Sequence, residues 1–371
     1  MTEPSCAGLR VGLVAPQPPP NGGMAMQAQQ LAHLLAREGV CVERLATNGP
    51  YRPAFVRAIP VLRALCRLLP YLFAVWRLAG RTNVIHLMAN SGWSWQLYSA
   101  PVLWFGWLRG TPVIVNYRGG EAESYFRRSF NRVKPSLRKA AAVVVPSEFL
   151  QAIFSGYGED AQVIPNIIDR EIFKPCNNTD HPRGPYFTLV IARNLEPIYG
   201  IDSAIRAFAQ AFQQDSSLRL RIAGSGPAYN ALTGLAKALG VGQAVYFEGR
   251  LDRQGIVDLY AAADAMVNPS TVDNMPNSVI EALACGLPVI STNVGGVPFI
   301  VRQGETALLV PVNDDSALAS AMLQMKNDEN LRARLRRNGL AQVEQYTWAT
   351  VRHQWLDLYA SLYAYKRRVV L

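Results

Sequence analysis

Short apolar segments alternate with longer amphipathic ones along this chain, and the alternation runs through the sequence twice. The apolar segments of the first half are residues 9–15, 84–87, 113–115 and 143–145. Those of the second half are residues 187–192, 218–223, 244–247, 265–267 and 289–291. Segments of this length predict buried strands, and helical stretches between them, such as 24–38, 201–214 and 228–239, predict parallel pairing.

The domain organisation follows from this repetition. We predict an α/β protein made of two doubly wound, Rossmann-like domains that face each other across a cleft, where such sheets bind ligands. The length of 371 residues agrees, since single cores rarely grow beyond ~300 residues. The predicted parts are a domain at 1–168, a linker at 169–183, a domain at 184–347 and a helical tail at 348–371.

Several classes of protein are disfavoured by composition. The five cysteines are scattered, odd in number and never spaced as Cys-x-x-Cys, which argues against a disulfide framework and a zinc site. The first ten residues carry an acidic residue and lack the basic region of a secretory signal. We therefore expect a cytoplasmic protein.

Positive charge is concentrated in the first half. The net charge is +10, and no Asp or Glu occurs between Glu43 and Glu121, an interval with nine arginines. Within it, Pro60 and Pro70 bracket one basic amphipathic helix, and a second is predicted to follow at 71–80. Two interpretations stay open: the helices lie on an anionic membrane leaflet as a peripheral contact, or they pack on their own domain. Nucleic acid is disfavoured because no binding motif accompanies the charge.

Residues 273–298 carry the strongest chemical signal. Asp273 and Glu281 are eight residues apart, and Pro276 suits the first position of a short helix between them. Gly286 suits the left-handed residue that ends such a helix. Main-chain N–H groups at a helix start bind anions, and flanking carboxylates accept hydrogen bonds from sugar hydroxyls. A nucleotide sugar offers both groups.

Motifs elsewhere extend this signal over almost the whole chain. They are Gly22-Gly23, Val-Pro-Ser-Glu-Phe-Leu at 145–150, Val-Ile-Pro-Asn-Ile-Ile-Asp at 163–169, Ala-Gly-Ser-Gly-Pro at 223–227, Phe-Glu-Gly at 247–249 and Asn-Pro-Ser at 268–270. In their order and spacing they resemble the family 4 (group 1) glycosyltransferases, which have the GT-B fold and retain the anomeric configuration.

The resemblance implies roles for individual residues. Arg193 and the main chain of Asn274, Met275, Pro276 and Asn277 would hold the diphosphate and sugar, Glu281 the ribose, and Asp273 the transferred sugar, with same-face displacement and neither a metal nor another cofactor. The other residues that would contact the donor are Gly22, Gly23, Arg118, Gly224, Gly226, Gly249 and Arg250.

The chain departs from the family pattern at three positions. Tyr199 stands where the family has a lysine, and a neutral phenol cannot supply that second cation. Arg118 or Arg250 is the substitute that the sequence offers. Arg118 itself stands about where the family often has a histidine, and Asp273 replaces a glutamate.

The predicted function is that of a hexosyltransferase. We expect it to move a sugar from a nucleoside diphosphate sugar, with UDP favoured over GDP, to a lipid-linked or oligosaccharide acceptor. Two alternatives stay open: a sugar-nucleotide 2-epimerase or phosphorylase on the same fold, and a non-catalytic binding subunit.

Overall fold

A computed structural model describes residues 8–19, 22–49, 60–175 and 185–369. The chain divides into two compact units. The first contains residues 1–167 together with 348–371, and the second contains residues 168–347. The residues of the C-terminal segment therefore belong to the first unit although they are last in the sequence.

The first unit is built on a six-stranded parallel sheet in the order β2-β1-β3-β4-β5-β6. Its strands are β1 (Arg10–Ala15), β2 (Cys41–Ala46), β3 (Val84–Ala89), β4 (Val113–Tyr117), β5 (Ala142–Val145) and β6 (Gln162–Val163). Its helices are α1 (Gly23–Arg37), α2 (Pro60–Arg81), α3 (Ala100–Leu108), α4 (Ala122–Leu137), α5 (Glu148–Gly156) and the C-terminal helix (Trp348–Val369).

Helices cover both faces of this sheet, so its central strands are buried and mostly apolar, with His86 and Asn116 as buried polar exceptions. All six residues of β3 are buried, as expected for a parallel strand with no solvent-facing side. The C-terminal helix completes one of the two covering layers, because Val351, Trp355 and Tyr359 are buried in the same cluster as Leu31 and Leu35 of α1.

The second unit repeats the architecture with the parallel strand order β12-β11-β10-β7-β8-β9. Its strands are β7 (Phe187–Ala192), β8 (Leu218–Ala223), β9 (Val245–Gly249), β10 (Ala265–Asn268), β11 (Val289–Thr292) and β12 (Ala307–Val310). Its helices are α6 (Ile201–Gln214), α7 (Tyr229–Ala238), α8 (Arg253–Ala261), α9 (Asn277–Ala284), α10 (Asp315–Asn327) and α11 (Glu329–Val343).

The strand order of the second unit defines where a ligand site belongs. The chain runs outward from β7 through β8 to β9, and it runs in the opposite direction from β10 through β11 to β12. The carboxyl ends of β7 and β10 therefore flank a topological switch point, the position at which open α/β sheets bind ligands.

The predicted doubly wound α/β class is confirmed in each unit, with corrections in detail. Three strands were not predicted: the half-exposed edge strand β2, the two-residue β6 and the short β12. The two predicted basic helices are one continuous helix, α2, with Pro70 inside it. A proline removes one main-chain N–H donor but does not by itself end a helix whose side chains are packed. Pro276 is the residue before α9 and not its first residue.

The predicted linker at 169–183 is only partly described, because residues 176–184 lie outside the described ranges. Its first residues belong to the second unit. Phe173 is buried in the same cluster as Met266 and Val279, and the Arg253 guanidinium lies 5.6 Å from the centre of the Phe173 ring.

Candidate functional site

Arg193 follows the carboxyl end of β7, at the switch point of the second unit. Its Nε donates to Oδ1 of Asn268 at 3.1 Å, and its Nη2 donates to Oγ of Ser270 at 3.0 Å. The same guanidinium forms an ion pair with the carboxylate of Asp273. Three side chains, one from the last residue of β10 and two from the segment after it, thus fix one arginine, which is nearly buried at 14% side-chain exposure.

Asp273 and Glu281 lie on either side of the start of α9. Asp273 is in the loop before the helix and Glu281 is in its second turn, as the sequence predicts. Pro276 precedes the helix and offers no side-chain acceptor for its first N–H groups. The helix start therefore presents main-chain donors beside the Arg193 cation, an arrangement that suits an anionic ligand.

Glu281 has an altered acidity. Burial raises the pKa of its carboxyl to about 7, and the positive charges of Arg253 and Arg193 oppose this shift. The carboxyl thus titrates near neutral pH. Arg253, in the first turn of α8, also pairs with Asp169 at 3.2 Å, so it brings a second cation to this part of the unit.

Glycines bring the neighbouring loops against the loop after β7. A Cβ atom on Gly226 would lie 2.3 Å from the carbonyl oxygen of Leu195, and one on Gly224 would lie 1.8 Å from that of Arg193. The Gly224 N–H donates to the carbonyl of Gly249 at 2.7 Å. These contacts explain why Gly224 and Gly226 must be glycines, and Arg250 follows Gly249 with an exposed side chain.

A further glycine holds the Asp273 loop. The Gly296 N–H donates to the carbonyl of Asp273 at 2.9 Å, and a Cβ atom there would lie 1.7 Å from the carbonyl oxygen of Asn274. No side chain fits at this position without moving the loop. The site therefore depends on the Gly-Gly pair after β11 as well as on its own residues.

Tyr199 lies against Arg193. The guanidinium carbon is 4.7 Å from the centre of the Tyr199 ring, and the tyrosine is held in a 3₁₀ turn, Pro197–Tyr199. A ring face attracts a cation at this distance. Where the family pattern has a second cation, this chain has an aromatic surface that orients the first one.

The structure brings one group of predicted residues together and places another in the first unit. Arg193, Asp273 to Asn277 and Glu281 meet around α9, with Gly224, Gly226 and Gly249 on the adjoining loops. Gly22 and Gly23 lie where α1 begins after β1, and Arg118 follows β4. These last residues stand at the carboxyl edge of the first sheet.

Four residues of this site were not assigned a role from the sequence. Asn268 and Ser270 hold Arg193, the charge of Arg253 opposes the rise in the pKa of Glu281, and Gly296 supports the loop. The Asn-Pro-Ser motif was a signal for the first two. Arg253 is distant in sequence from Glu281 and no local pattern indicates it, whereas Gly296 lies within the 273–298 segment without having been given a role there.

Two features are absent from the part of the chain that the structure describes. No group of three or more His, Cys, Asp or Glu side chains is placed to hold a metal ion in the described ranges. In the same ranges no helix has the length and apolar character needed to cross a bilayer.

Solved structures with the same fold identify the architecture. Sucrose-phosphate synthase from Thermosynechococcus elongatus superposes with a TM-score of 0.77 over 96% of this chain and 99% of that chain, at 22% identity. Anabaena HepE in complex with UDP and glucose superposes with a TM-score of 0.75 over 95% of this chain and all of that chain, at 19% identity. The fold is therefore that of the GT-B glycosyltransferases.

Sequence comparisons identify the family. A model of the glycosyl transferase 4-like domain matches residues 22–166, and a model described as glycosyl transferases group 1 matches residues 177–342. The chain belongs to the group 1 glycosyltransferases. A D-inositol 3-phosphate glycosyltransferase from Streptomyces bingchenggensis is 30% identical over 230 residues, 57% of this chain and 50% of the relative. The chain thus spans about half the length of that curated relative.

Proposed function

We propose that this protein is a retaining hexosyltransferase that moves a sugar from a nucleoside diphosphate sugar to a hydroxyl group of an acceptor. One observation carries the proposal: Arg193 is fixed by Asn268, Ser270 and Asp273 beside the start of α9, and Glu281 lies within that helix. In this proposal the cation and the main-chain donors bind the diphosphate, and the carboxylate accepts a hydrogen bond from the ribose.

The chemistry assigned to these groups is electrostatic. Breaking the bond between sugar and phosphate builds negative charge on the leaving phosphate, and fixed donors aimed at that charge lower the barrier. Arg193 keeps its charge at neutral pH because arginine is a very strong base. In the proposal, the leaving phosphate accepts the proton of the acceptor hydroxyl, so that the new bond forms on the face from which the phosphate departs.

UDP is the favoured nucleotide and GDP the second candidate. The HepE structure holds UDP and glucose, and its fold matches this chain along nearly its full length. That likeness motivates the choice of UDP. No metal and no further cofactor enter the proposed reaction.

The acceptor we propose is a lipid-linked or growing saccharide, as in lipopolysaccharide or exopolysaccharide biosynthesis. The support is a surface of the first unit that we term the aromatic face. Its apolar residues, all exposed, are Leu69, Phe73 and Trp76 of α2 with Trp104, Trp107 and Leu108 of α3. Trp76 meets Phe105 of α3 at 5.5 Å between ring centres, so α2 and α3 form one continuous surface.

Cations lie directly on this aromatic face. The Arg109 guanidinium is 4.7 Å from the centre of the Trp76 ring, and the Lys139 ammonium is 3.9 Å from that of Trp107. Arg77 lies over Phe73 at 5.6 Å. Exposed tryptophans among cations, in a stretch of sequence without acidic residues, suit the headgroup region of an anionic leaflet. We therefore propose peripheral attachment to the cytoplasmic face of the inner membrane.

Thermal stabilisation by a panel of nucleotide sugars tests the proposed donor. A ligand at 100 times its dissociation constant adds about 2.7 kcal/mol to the free energy of unfolding. We expect UDP sugars to raise Tm in the wild type and to raise it less in Glu281→Ala. Incubation with donor alone then separates reaction classes: release of free UDP supports a transferase, whereas an isomerised sugar nucleotide indicates an epimerase. Stabilisation by no nucleotide sugar would contradict the proposal.

A further inference from the structure

Arg118 is a partly buried cation held by neutral groups. Its Nε donates to Oδ1 of Asn116 at 3.2 Å, and its Nη1 donates to Oδ1 of Asn166. Burial lowers its pKa to about 10. Among the residues described, no carboxylate forms an ion pair with it. A cation of this kind keeps an unneutralised charge, so its orientation depends on its two amide partners.

Asn116 connects Arg118 to the interior of the first unit. Its Nδ2 lies 3.0 Å from Nε2 of His86, which is on the neighbouring strand β3. The other ring nitrogen of His86, Nδ1, lies 2.6 Å from the hydroxyl of Tyr359 in the C-terminal helix. A buried chain of hydrogen bonds thus runs from Arg118 through Asn116 and His86 to Tyr359.

The Arg118 cation fixes the direction of donation along this chain of hydrogen bonds. A guanidinium has donors and no acceptor, so the Asn116 carboxamide must turn its oxygen toward Arg118 and its NH₂ group toward His86. Nε2 of His86 must then accept, which leaves the proton on Nδ1, where it is donated to the oxygen of Tyr359. The opposite amide orientation would place two donors face to face.

The surroundings of His86 favour the uncharged ring that this chain requires. Burial lowers the pKa of His86 to about 3, with a smaller contribution from the charge of Arg118. Trp355 covers the ring, with 4.8 Å between the ring centres, and Leu13 and Ile114 are its partners on the adjoining strands. A second proton on the imidazole would turn Nε2 from acceptor to donor and break the contact with Asn116.

We propose that His86 and Tyr359 are positioning residues for Arg118. Tyr359 holds His86 as the Nδ1–H tautomer, His86 holds the Asn116 amide, and the amide oxygen sets the direction of the guanidinium. The C-terminal helix thereby orients a cation that directly follows β4. An effect of this positioning on catalysis rests on the proposed contact of Arg118 with the sugar nucleotide. The tautomer of His86 does not depend on that contact.

Nitrogen-15 NMR of histidine side chains tests the tautomer directly. The chain has four histidines, and the His86 signal is the one missing from His86→Phe. We expect a protonated Nδ1, an unprotonated Nε2 and no titration between pH 5 and 8. An Nε2–H tautomer, or a mixture of tautomers, would overturn the proposed polarity whether or not the protein binds UDP.

A double-mutant cycle tests the positioning role. Tyr359→Phe should lower kcat/KM for the donor about fivefold, which corresponds to the free energy of one hydrogen bond. In an Arg118→Ala background the same substitution should leave kcat/KM unchanged. Tyr71→Phe is the matched control, because it removes another buried hydroxyl of the same unit, one that donates to the Tyr98 carbonyl at 2.8 Å. It should change kcat/KM less than twofold.

The outcomes separate the two proposals. A Tyr359→Phe factor of equal size with and without Arg118 would show that Tyr359 does not act through the arginine, and the positioning role would be wrong. A wild-type protein that neither binds nor cleaves a sugar nucleotide would contradict the proposed function, while the NMR experiment would still decide the polarity of the chain.

Discussion

Glu281 links the site to pH. Unfolded, its carboxyl loses its proton near pH 4.5, whereas in the folded protein burial raises the pKa to about 7. Between these values the folded state binds the extra proton, so the contribution of Glu281 to the free energy of unfolding falls as pH rises through this window. Glu281→Gln removes the effect. Its Tm relative to the wild type should therefore increase from pH 5 to pH 8.

The same titration should govern binding of the donor. A ribose hydroxyl donates a stronger hydrogen bond to a carboxylate than to a neutral acid. We expect the wild-type affinity for UDP-glucose to rise about fivefold from pH 6 to pH 8, the equivalent of about 1 kcal/mol. Calorimetry at several pH values measures this, and Glu281→Gln should show no such rise. An equal rise in both proteins would exclude Glu281 as the source.

Tyr199 offers a second test at the residue scale. Its contact with Arg193 is made by the ring, so the hydroxyl should be dispensable. Tyr199→Phe should have a kcat/KM within about twofold of the wild-type value. Tyr199→Ala should have a lower kcat/KM, by the factor that corresponds to the ~0.5–2 kcal/mol of a cation–π contact. Steady-state kinetics with UDP-glucose distinguishes them. A large loss in Tyr199→Phe would instead assign a role to the phenol oxygen.

The loop before α9 depends on a neighbouring element for its shape. Gly296→Ala would force a Cβ atom against the Asn274 carbonyl and disturb the hydrogen bond to Asp273. We expect at least tenfold weaker binding of UDP-glucose and a lower Tm. Gly234→Ala is the control, because that glycine lies within α7 with open space around it. Alanine at this position should raise the free energy of unfolding by about 0.5–1 kcal/mol. Unchanged binding in Gly296→Ala would contradict the account of the loop.

The aromatic face makes a prediction about elements α2 and α3. The wild type should sediment with vesicles containing phosphatidylglycerol, less so at high salt, and weakly with phosphatidylcholine alone. Replacing Trp104 and Trp107 by alanine should weaken binding at least tenfold.

Two exposed aromatic residues of the second unit supply the matched control. Tyr246 and Phe299 are about half exposed, at 47% and 48%, and their replacement by alanine should leave vesicle binding unchanged. Equal losses in both double variants, or binding that ignores lipid charge, would show that the aromatic face is not a membrane contact.

At the scale of the whole molecule, the sequence predicts the strands that are buried on both faces and the helix at 277–284, because apolar runs and prolines or glycines mark them locally. It does not predict β2, whose Cys-Val-Glu-Arg-Leu-Ala pattern is that of a half-exposed edge. The sequence also does not predict which residues contact those of the site. Gly296, Arg253 and Tyr359 meet their partners only after the chain has folded, so no local spacing records the contact.

The central claim is that Arg193 and the start of α9 form a site for the diphosphate of a sugar nucleotide. Calorimetric titration of UDP tests it most directly, with Arg193→Ala as the variant. Arg206→Ala is the control, since Arg206 lies in α6 and pairs with Asp202 and Asp315 of the same unit. We predict that UDP binds the wild type and Arg206→Ala alike and binds Arg193→Ala at least tenfold more weakly. Equal affinity in all three proteins, or none in the wild type, would contradict the account.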